Sequence, residues 1–188
     1  MGVSSQSMCF KSPAPPTAPG RSLKNLSQSV RALPVRILTI GKKRSKGVQL
    51  LVDEYIEKLK YYCRVDDVQL KPNPKNTSDV KAQIDGEDIR IMQHIRPEDW
   101  VVVLDERGQD IGSEKMAELV GEARNTGSEV LVFCIGGPYG HGQKLRKRAD
   151  VTVRLSTMVL NHQVALIVLL EQLYRAWTIL KGQKYHHQ

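Results

Sequence analysis

The sequence predicts a single α/β domain built on a mostly parallel sheet. Short runs rich in β-branched and other apolar residues alternate along the chain with longer stretches of helical periodicity, and Gly, Pro and Asn punctuate them. This alternation is typical of parallel strands that helices join and cover on both faces. A chain of 188 residues is long enough for one such domain with a proper core.

The first half of the chain predicts two strands with a helix between them. The strand over 35–40 alternates into Gly41, and the β-rich strand over 65–70 is broken by a Pro-Asn-Pro sequence. Apolar residues at helical spacing predict the intervening helix over 48–62.

The second half continues the alternation of helices and strands. A helix is predicted to begin with Ser78 as its N-cap and to run to about Ile95. The apolar run over 100–104 predicts a third strand, and the polar segment over 105–108 predicts a turn. Ser113 is expected to cap the next helix. The remaining elements are predicted over 113–124 (helix), 129–135 (strand), 143–149 (short helix), 151–155 (strand) and 162–180 (helix).

Residues 1–33 have the composition of a leader. They contain seven Ser, four Pro and no carboxylate, and they lack both helical and strand periodicity. This predicts a disordered organellar transit segment, and the Ser and Pro content with little Arg favours the chloroplast over the mitochondrion. A plain disordered tail is the alternative. The folded domain is then expected to span residues 34–188.

The net charge of +8 is concentrated near the amino terminus. Nine of the 28 Lys and Arg residues precede Asp53, the first acidic residue, and the other 19 are matched by 20 acidic residues. A global basic field therefore does not predict nucleic-acid binding. The local cluster Lys42-Lys-Arg-Ser-Lys46 is in a suitable place to contact phosphate, with a solvated loop as the alternative.

Metal, disulfide and membrane sites are not predicted. Cys9, Cys63 and Cys134 are far apart and form no C-x-x-C pair. Neighbouring His186 and His187 lack a third ligand. No stretch approaches the ~20 consecutive apolar residues that a membrane span needs.

The glycine-rich stretch CIGGPYGHGQ, residues 134–143, directly follows a predicted strand. Bare backbone at the carboxyl end of a strand favours a ligand, with a tight corner as the alternative. A triphosphate loop would need Lys where Gln143 stands, and a dinucleotide fingerprint would need an acidic residue where Ser156 stands. Two further segments, 104–108 and 155–162, also follow predicted strands, so all three are expected to line one cleft.

Five ordered motifs resemble one known family. L-D-x-x-G, I-G-G-P-x-G, L-S-x-M-x-L-x-H, L-L-E-Q-L-Y-R-A-W and a terminal Y-H, spread over residues 35–188, resemble the SPOUT-class methyltransferases, and among them the ribosomal RNA large-subunit methyltransferase H family. The resemblance implies a deep C-terminal trefoil knot, a homodimer and S-adenosylmethionine as cofactor. It also implies that the substrate is large-subunit ribosomal RNA within the assembled ribosome, methylated at N3 of a pseudouridine in the helix 69 loop.

The same resemblance implies a set of cofactor-binding residues. Leu104 would lie at the cofactor's edge, and Gly136 would bring bare backbone against it. Six consecutive residues would wrap its adenine and methionine parts: Leu155, Ser156, Thr157, Met158, Val159 and Leu160. Backbone groups and apolar side chains can hold adenine, so such a pocket needs no charged fingerprint.

Three residues are candidates for the catalytic step. N3 of pseudouridine carries a proton that must be removed, or its anion stabilised, and His162 is the first candidate, with a helix-capping role as the alternative. Tyr185 and His186 match the family's terminal Y-H and are expected to reach the RNA or the pocket, with a frayed tail as the alternative. Glu171 and Arg175 are expected to stabilise the knot and dimer by hydrogen bonding within an apolar helix.

Departures from the family pattern keep a second function open. Asn161 replaces a Pro that relatives commonly have, which is expected to loosen the approach to His162, and Leu166 stands where relatives often carry Arg. The terminus has a second His, His187, where bacterial relatives end in Y-H-R. The alternative function is a catalytically idle RNA-binding or ribosome-assembly factor that retains the knot.

Overall fold

The computed structural model describes residues 32–72 and 79–183, in which strands and helices alternate as predicted. In chain order the elements are β1 (Val35–Ile40), α1 (Lys46–Lys60), β2 (Val65–Leu70), α2 (Val80–Met92), β3 (Trp100–Asp110), α3 (Ser113–Glu122), a 3-10 turn (Ala123–Thr126), β4 (Leu131–Ile135), α4 (Gln143–Arg148), β5 (Val151–Arg154) and α5 (His162–Leu180). The predicted leader falls on residues outside this description, except that Ala32 and Leu33 already pack against the core.

The five strands form one parallel sheet, which confirms the predicted α/β class. Their order is β2-β1-β4-β3-β5, and every neighbouring pair is parallel. Because the strands run in one direction, all their carboxyl ends lie at the same edge. In the register of β3 and β4, Leu104 is opposite Ile135, so the residues that follow these two start side by side at this edge.

Helices cover both faces of the sheet. The α1, α3 and α5 helices pack on one face, against side chains such as Ile37 and Phe133. The α2 and α4 helices pack on the other face, against side chains such as Leu38 and Cys134. All five residues of β4 are buried, which explains its continuous apolar sequence.

The α5 helix corrects the expectation that no stretch is long and apolar enough to cross a membrane. It has 19 residues and a mean hydropathy of 1.2, and by length and composition alone it meets that test. Its packing accounts for the same composition. Leu169, Leu173 and Trp177 are buried in the core that α5 shares with α1 and α3.

The β3 strand is longer than predicted, and the turn predicted over 105–108 is wrong. The strand runs to Asp110 and resumes pairing with β5 after an irregularity between Leu104 and Gln109. Gly108 allows the two backbones to meet, since a Cβ there would lie 2.5 Å from the carbonyl carbon of Val153. Close backbone approach explains a glycine that the local sequence predicts as part of a turn.

Several helix ends differ from the predictions: α1 begins and ends two residues early, and α2 ends at Met92 rather than near Ile95. Gly112 is the N-cap of α3, so the prediction that Ser113 caps it is wrong. The helix ends at Glu122, before the predicted end, and a 3-10 turn follows. Asp79 caps α2 by accepting hydrogen bonds from two N–H groups of its first turn, while the predicted cap, Ser78, lies outside the described residues.

Replacing Gly108 with Ala is expected to lower the free energy of unfolding by about 2 kcal/mol or more. Overpacking typically costs about 1–3 kcal/mol, and here the added methyl would meet backbone that cannot rotate away. Urea denaturation measures this change. Gly47→Ala is the matched control, because nothing lies within 4 Å of a Cβ at that helical position. A Gly108 variant as stable as this control would contradict the close-approach explanation.

Candidate functional site

A pocket of about 590 Å³ opens at the carboxyl edge of the sheet. Residues 104–107 of β3 and the segments that follow β4 and β5 form its walls, so the three segments that the sequence predicted to converge do so. Seven of the predicted cofactor residues line it: Leu104, Gly136, Leu155, Ser156, Met158, Val159 and Leu160. The eighth, Thr157, is exposed and is not among the lining residues. The volume of the pocket lies within the range typical of small-molecule sites.

The glycine loop that follows β4 is both a tight turn and a pocket wall. The Gly140 N–H donates to the Gly137 carbonyl oxygen at 3.0 Å, and Gly140 adopts a left-handed φ of 76°. A Cβ on Gly136 would lie 3.0 Å from the Gly140 carbonyl carbon. Larger residues at 136 and 140 would therefore push the loop out of its conformation.

A buried carboxylate on α2 anchors the end of the glycine loop. Asp88 is 2% exposed and accepts hydrogen bonds from the backbone N–H groups of Gly142 at 2.8 Å and Leu145 at 3.1 Å. These groups belong to the first turn of α4, where a negative charge is favourable. The α4 helix has no side-chain cap of its own, so Asp88 takes that role from 54 residues away.

An ion pair ties the glycine loop to the end of β3. Arg146 contacts the Asp105 carboxylate at 2.7 Å, and its Nε donates to the His141 carbonyl oxygen at 3.1 Å. The Asp105 side chain is only 5% exposed. A carboxylate buried to this degree needs its partner, so the pair fixes the distance between two walls of the pocket.

His141 makes a second connection between the same two walls. Its Nε2 lies 3.0 Å from the Leu104 carbonyl oxygen, which can only accept, so this nitrogen carries a proton. Its Nδ1 is buried without a partner. Burial lowers the pKa of His141, while the hydrogen bond to Leu104 and the charge of Asp105 oppose that shift. A neutral imidazole fits this site. His141 was not identified from the sequence as a functional residue, although it stands inside the glycine-rich stretch.

His162, the candidate catalytic residue, lines the same pocket as the first residue of α5. The helix-capping alternative is wrong, because the N-cap is Asn161, whose side chain accepts from the Gln163 N–H at 2.9 Å. Asn161 therefore fixes the start of α5, while the expected loosening of the approach to His162 stays a prediction. Leu166, the second departure from the family pattern, is fully buried in the core.

The other two candidate catalytic residues, Tyr185 and His186, lie outside the described residues. The chain before them is held far from the pocket. Gln183 accepts a hydrogen bond from the Tyr62 hydroxyl at 2.6 Å. Tyr62 lies just beyond the carboxyl end of α1. With 19 residues, α5 separates this point from His162 by roughly 27 Å at 1.5 Å per residue.

The basic cluster is partly structural. Arg44 is buried and contacts both carboxylate oxygens of Asp67, one of them at 2.8 Å. It is therefore not available to phosphate. Lys42, Lys43 and Lys46 remain exposed.

Other charged and reactive groups have structural surroundings. Glu171 and Arg175 contact each other at 2.6 Å within α5, which confirms the predicted hydrogen bonding, while their role in a knot or dimer stays a prediction. Burial raises the pKa of the Cys63 thiol to about 11 and also raises that of Cys134, so both remain protonated. Within residues 32–72 and 79–183, no group of three or more His, Cys, Asp or Glu side chains could hold a metal ion.

Comparisons with known proteins agree with this geometry. The family described as "Predicted SPOUT methyltransferase" matches residues 33–186. An Arabidopsis thaliana protein named "Putative RNA methyltransferase" is 61% identical over 172 residues, 92% of this chain and 89% of the relative. The ribosomal RNA large subunit methyltransferase H of Christiangramia forsetii is 37% identical over 156 residues, 82% of this chain and 99% of the relative.

A solved structure has the same fold. The crystal structure of a probable methyltransferase from Bordetella pertussis Tohama I superposes with a TM-score of 0.51 at 15% identity, covering 81% of this chain and 98% of that one. At this identity the likeness shows the fold alone. A C-terminal trefoil knot fits this family but remains a prediction for the chain.

Acidification is expected to destabilise the protein through His141. Its pKa in the folded state is below the ordinary value of 6.5, so below that pH the unfolded chain binds the proton more readily. The stability that the neutral form of His141 contributes is therefore present above pH 6.5. As the pH falls, the free energy of unfolding decreases by at most about 1.4 kcal/mol per pH unit. Urea denaturation between pH 5.5 and 7.5 measures the loss.

His141→Gln should show less of this pH dependence than the wild type, because its amide can still donate to the Leu104 carbonyl but does not titrate. His94→Gln, at an exposed histidine, should retain it. Equal pH dependence in the wild type and the His141 variant would contradict the role of burial.

Proposed function

The chain belongs to the SPOUT methyltransferase family, and we propose that it transfers the methyl group of S-adenosylmethionine to large-subunit ribosomal RNA. The observation that carries this proposal is the convergence of residues 104–107 of β3 and the segments after β4 and β5 on one pocket of about 590 Å³. The relatives named ribosomal RNA large subunit methyltransferase H supply the substrate class.

The pocket suits S-adenosylmethionine in size and in the character of its walls. Backbone from Gly136 to Gly140 and the apolar side chains of Leu104 and Leu155 offer contacts for an adenine ring. Met158 and Val159 are 72% and 83% exposed at the same pocket. Covering such exposed apolar side chains with a ligand removes apolar surface from water and is favourable, which supports a bound cofactor here.

Methyl transfer requires alignment and an electron-rich acceptor nitrogen. The cofactor supplies an electrophilic methyl group on its sulfonium when bound. The glycine loop and residues 155–160 would hold it in one orientation, so that the acceptor approaches in line with the breaking bond. His162, at the pocket and fixed by the start of α5, would take the proton of the acceptor nitrogen or stabilise the anion.

A homodimer follows from the direction of α5 if Tyr185 and His186 take part. Three residues beyond Gln183 reach at most about 11 Å, whereas the protomer's own pocket lies at the far end of α5, roughly 27 Å away. The tail would therefore complete the pocket of a partner protomer. This geometry supports the dimer that the family resemblance implies.

The finer assignments extend the same proposal. The acceptor would be N3 of a pseudouridine in the helix 69 loop, and the ribosome would be that of the chloroplast, with the mitochondrion as the alternative. The leader composition of residues 1–33 supports an organellar site. Exposed Lys42, Lys43 and Lys46 at the loop after β1 would contact the RNA backbone.

The first test is methyl incorporation into ribosomes from a plant line that lacks the gene. Wild-type protein with radiolabelled S-adenosylmethionine should label plastid large-subunit RNA at one pseudouridine, and base mapping of plastid and mitochondrial RNA identifies the organelle. His162→Ala should lower the rate by roughly 10²–10⁴-fold, the usual contribution of a general acid or base. Calorimetry should show that this variant still binds the cofactor. Cofactor binding without any methyl incorporation by the wild type would favour the idle assembly factor.

A second test asks whether the tail acts across a dimer. A chain that ends at Gln183 and a full-length His162→Ala chain should each transfer methyl groups far more slowly than the wild type. Mixed and allowed to exchange subunits, they should regain activity, because one pocket of the heterodimer has His162 and the partner's tail. Recovery would be absent if the tail served its own protomer, since no pocket would then hold both groups.

A further inference from the structure

Gly41, which directly follows β1, contacts the ring of His162. A Cβ built on Gly41 would lie 2.9 Å from His162 Nε2 and 3.0 Å from its Cδ2. Real Cβ atoms are almost never this close to a neighbouring heavy atom, so only glycine leaves room for the ring in its present position. The backbone conformation of Gly41 does not itself require a glycine. Its φ is not left-handed, unlike those of Gly127, Gly140 and Gly182.

Both partners in this contact are held by backbone hydrogen bonds. The Gly41 N–H donates to the Leu70 carbonyl oxygen at 3.0 Å, which continues the pairing of β1 with β2. On the other side, the Ala165 N–H donates to the Asn161 carbonyl oxygen at 2.8 Å in the first turn of α5. Because neither backbone is free to retreat, an added methyl group would displace the His162 ring itself.

The contact also decides which edge of the imidazole a ligand can meet. His162 Nε2 is buried and has no hydrogen-bond partner. Gly41 lies against it, so this nitrogen is closed off on the side of Gly41. The next side chain near Gly41 is that of Gln69, whose Nε2 would lie 3.9 Å from the added Cβ and already donates to the Lys42 carbonyl oxygen at 2.6 Å. The methyl group therefore meets the His162 ring first.

We propose that Gly41 is a positioning residue for the reaction. The His162 ring packs directly against its Cα, and this contact orients the ring so that Nδ1 faces the pocket. This inference rests on the proposed role of His162 in methyl transfer. The contact itself does not depend on that role and can be tested separately. Gly41 acts only through the ring, so its substitution should change the rate of transfer and leave the cofactor affinity nearly unchanged.

The kinetic test is a double-mutant cycle between Gly41→Ala and His162→Ala. In the wild-type background, Gly41→Ala should lower kcat by about 10²-fold, the order expected for a misplaced catalytic group. The cofactor Kd and the urea midpoint should stay close to those of Gly47→Ala, the matched control without neighbours within 4 Å. In the His162→Ala background, Gly41→Ala should cause no further loss. An equal loss in both backgrounds, or no loss in either, would overturn the proposal.

A structural test on the free protein separates this inference from the proposed function. The imidazole signals of His162, assigned by their absence in His162→Ala, should shift in the NMR spectrum of Gly41→Ala. Those of His94 and His141 should not. If the wild type incorporates no methyl group but the His162 signals shift, the proposed function fails and the packing of Gly41 on His162 stands. Unchanged His162 signals would overturn the inference whatever the activity.

Discussion

The parallel register of β3 and β4 is the constraint on which the pocket depends. It sets Leu104 opposite Ile135, so the residues beyond these two start from neighbouring positions and form facing walls. The carbonyl of Leu104 then lies 3.0 Å from His141 in the glycine loop. A shift of one residue would exchange the two faces on which the β4 side chains lie and separate this pair.

Buried charge holds these walls in position. Asp88 and Asp105 are each almost fully shielded from water, and each has found partners on a different segment of chain. Arg44 and Asp67 do the same for the loop after β1. A buried charge without its partner is costly, so each pair favours a single arrangement of the segments that it joins. The rim of the pocket is therefore stabilised by charge although its interior is largely apolar backbone and side chain.

Local sequence patterns predict most elements of this fold. Most strands are buried, so their apolar residues form short runs that are recognisable in the sequence. The predicted bounds of β1, β2 and α5 agree with the structure, and the three pocket segments converge as expected. The extension of β3 was missed because pairing with β5 overrides the turn propensity of 105–108. Asp88 and His141 were missed because their partners are 54 and 37 residues away, and no local pattern records such contacts.

In a pocket without a charged sequence motif, the positions of the glycines largely determine which groups can approach one another. Gly108 lets β3 meet β5, Gly136 lets the loop fold on itself, and Gly41 leaves room for an imidazole. Gly108 and Gly41 leave room for groups that are distant in sequence, and Gly136 leaves room for Gly140 four residues on. Among the glycines that line the pocket, only Gly140 needs its conformational freedom. A sequence can therefore lose such a site through one added methyl group while its charge, hydropathy and periodicity stay the same.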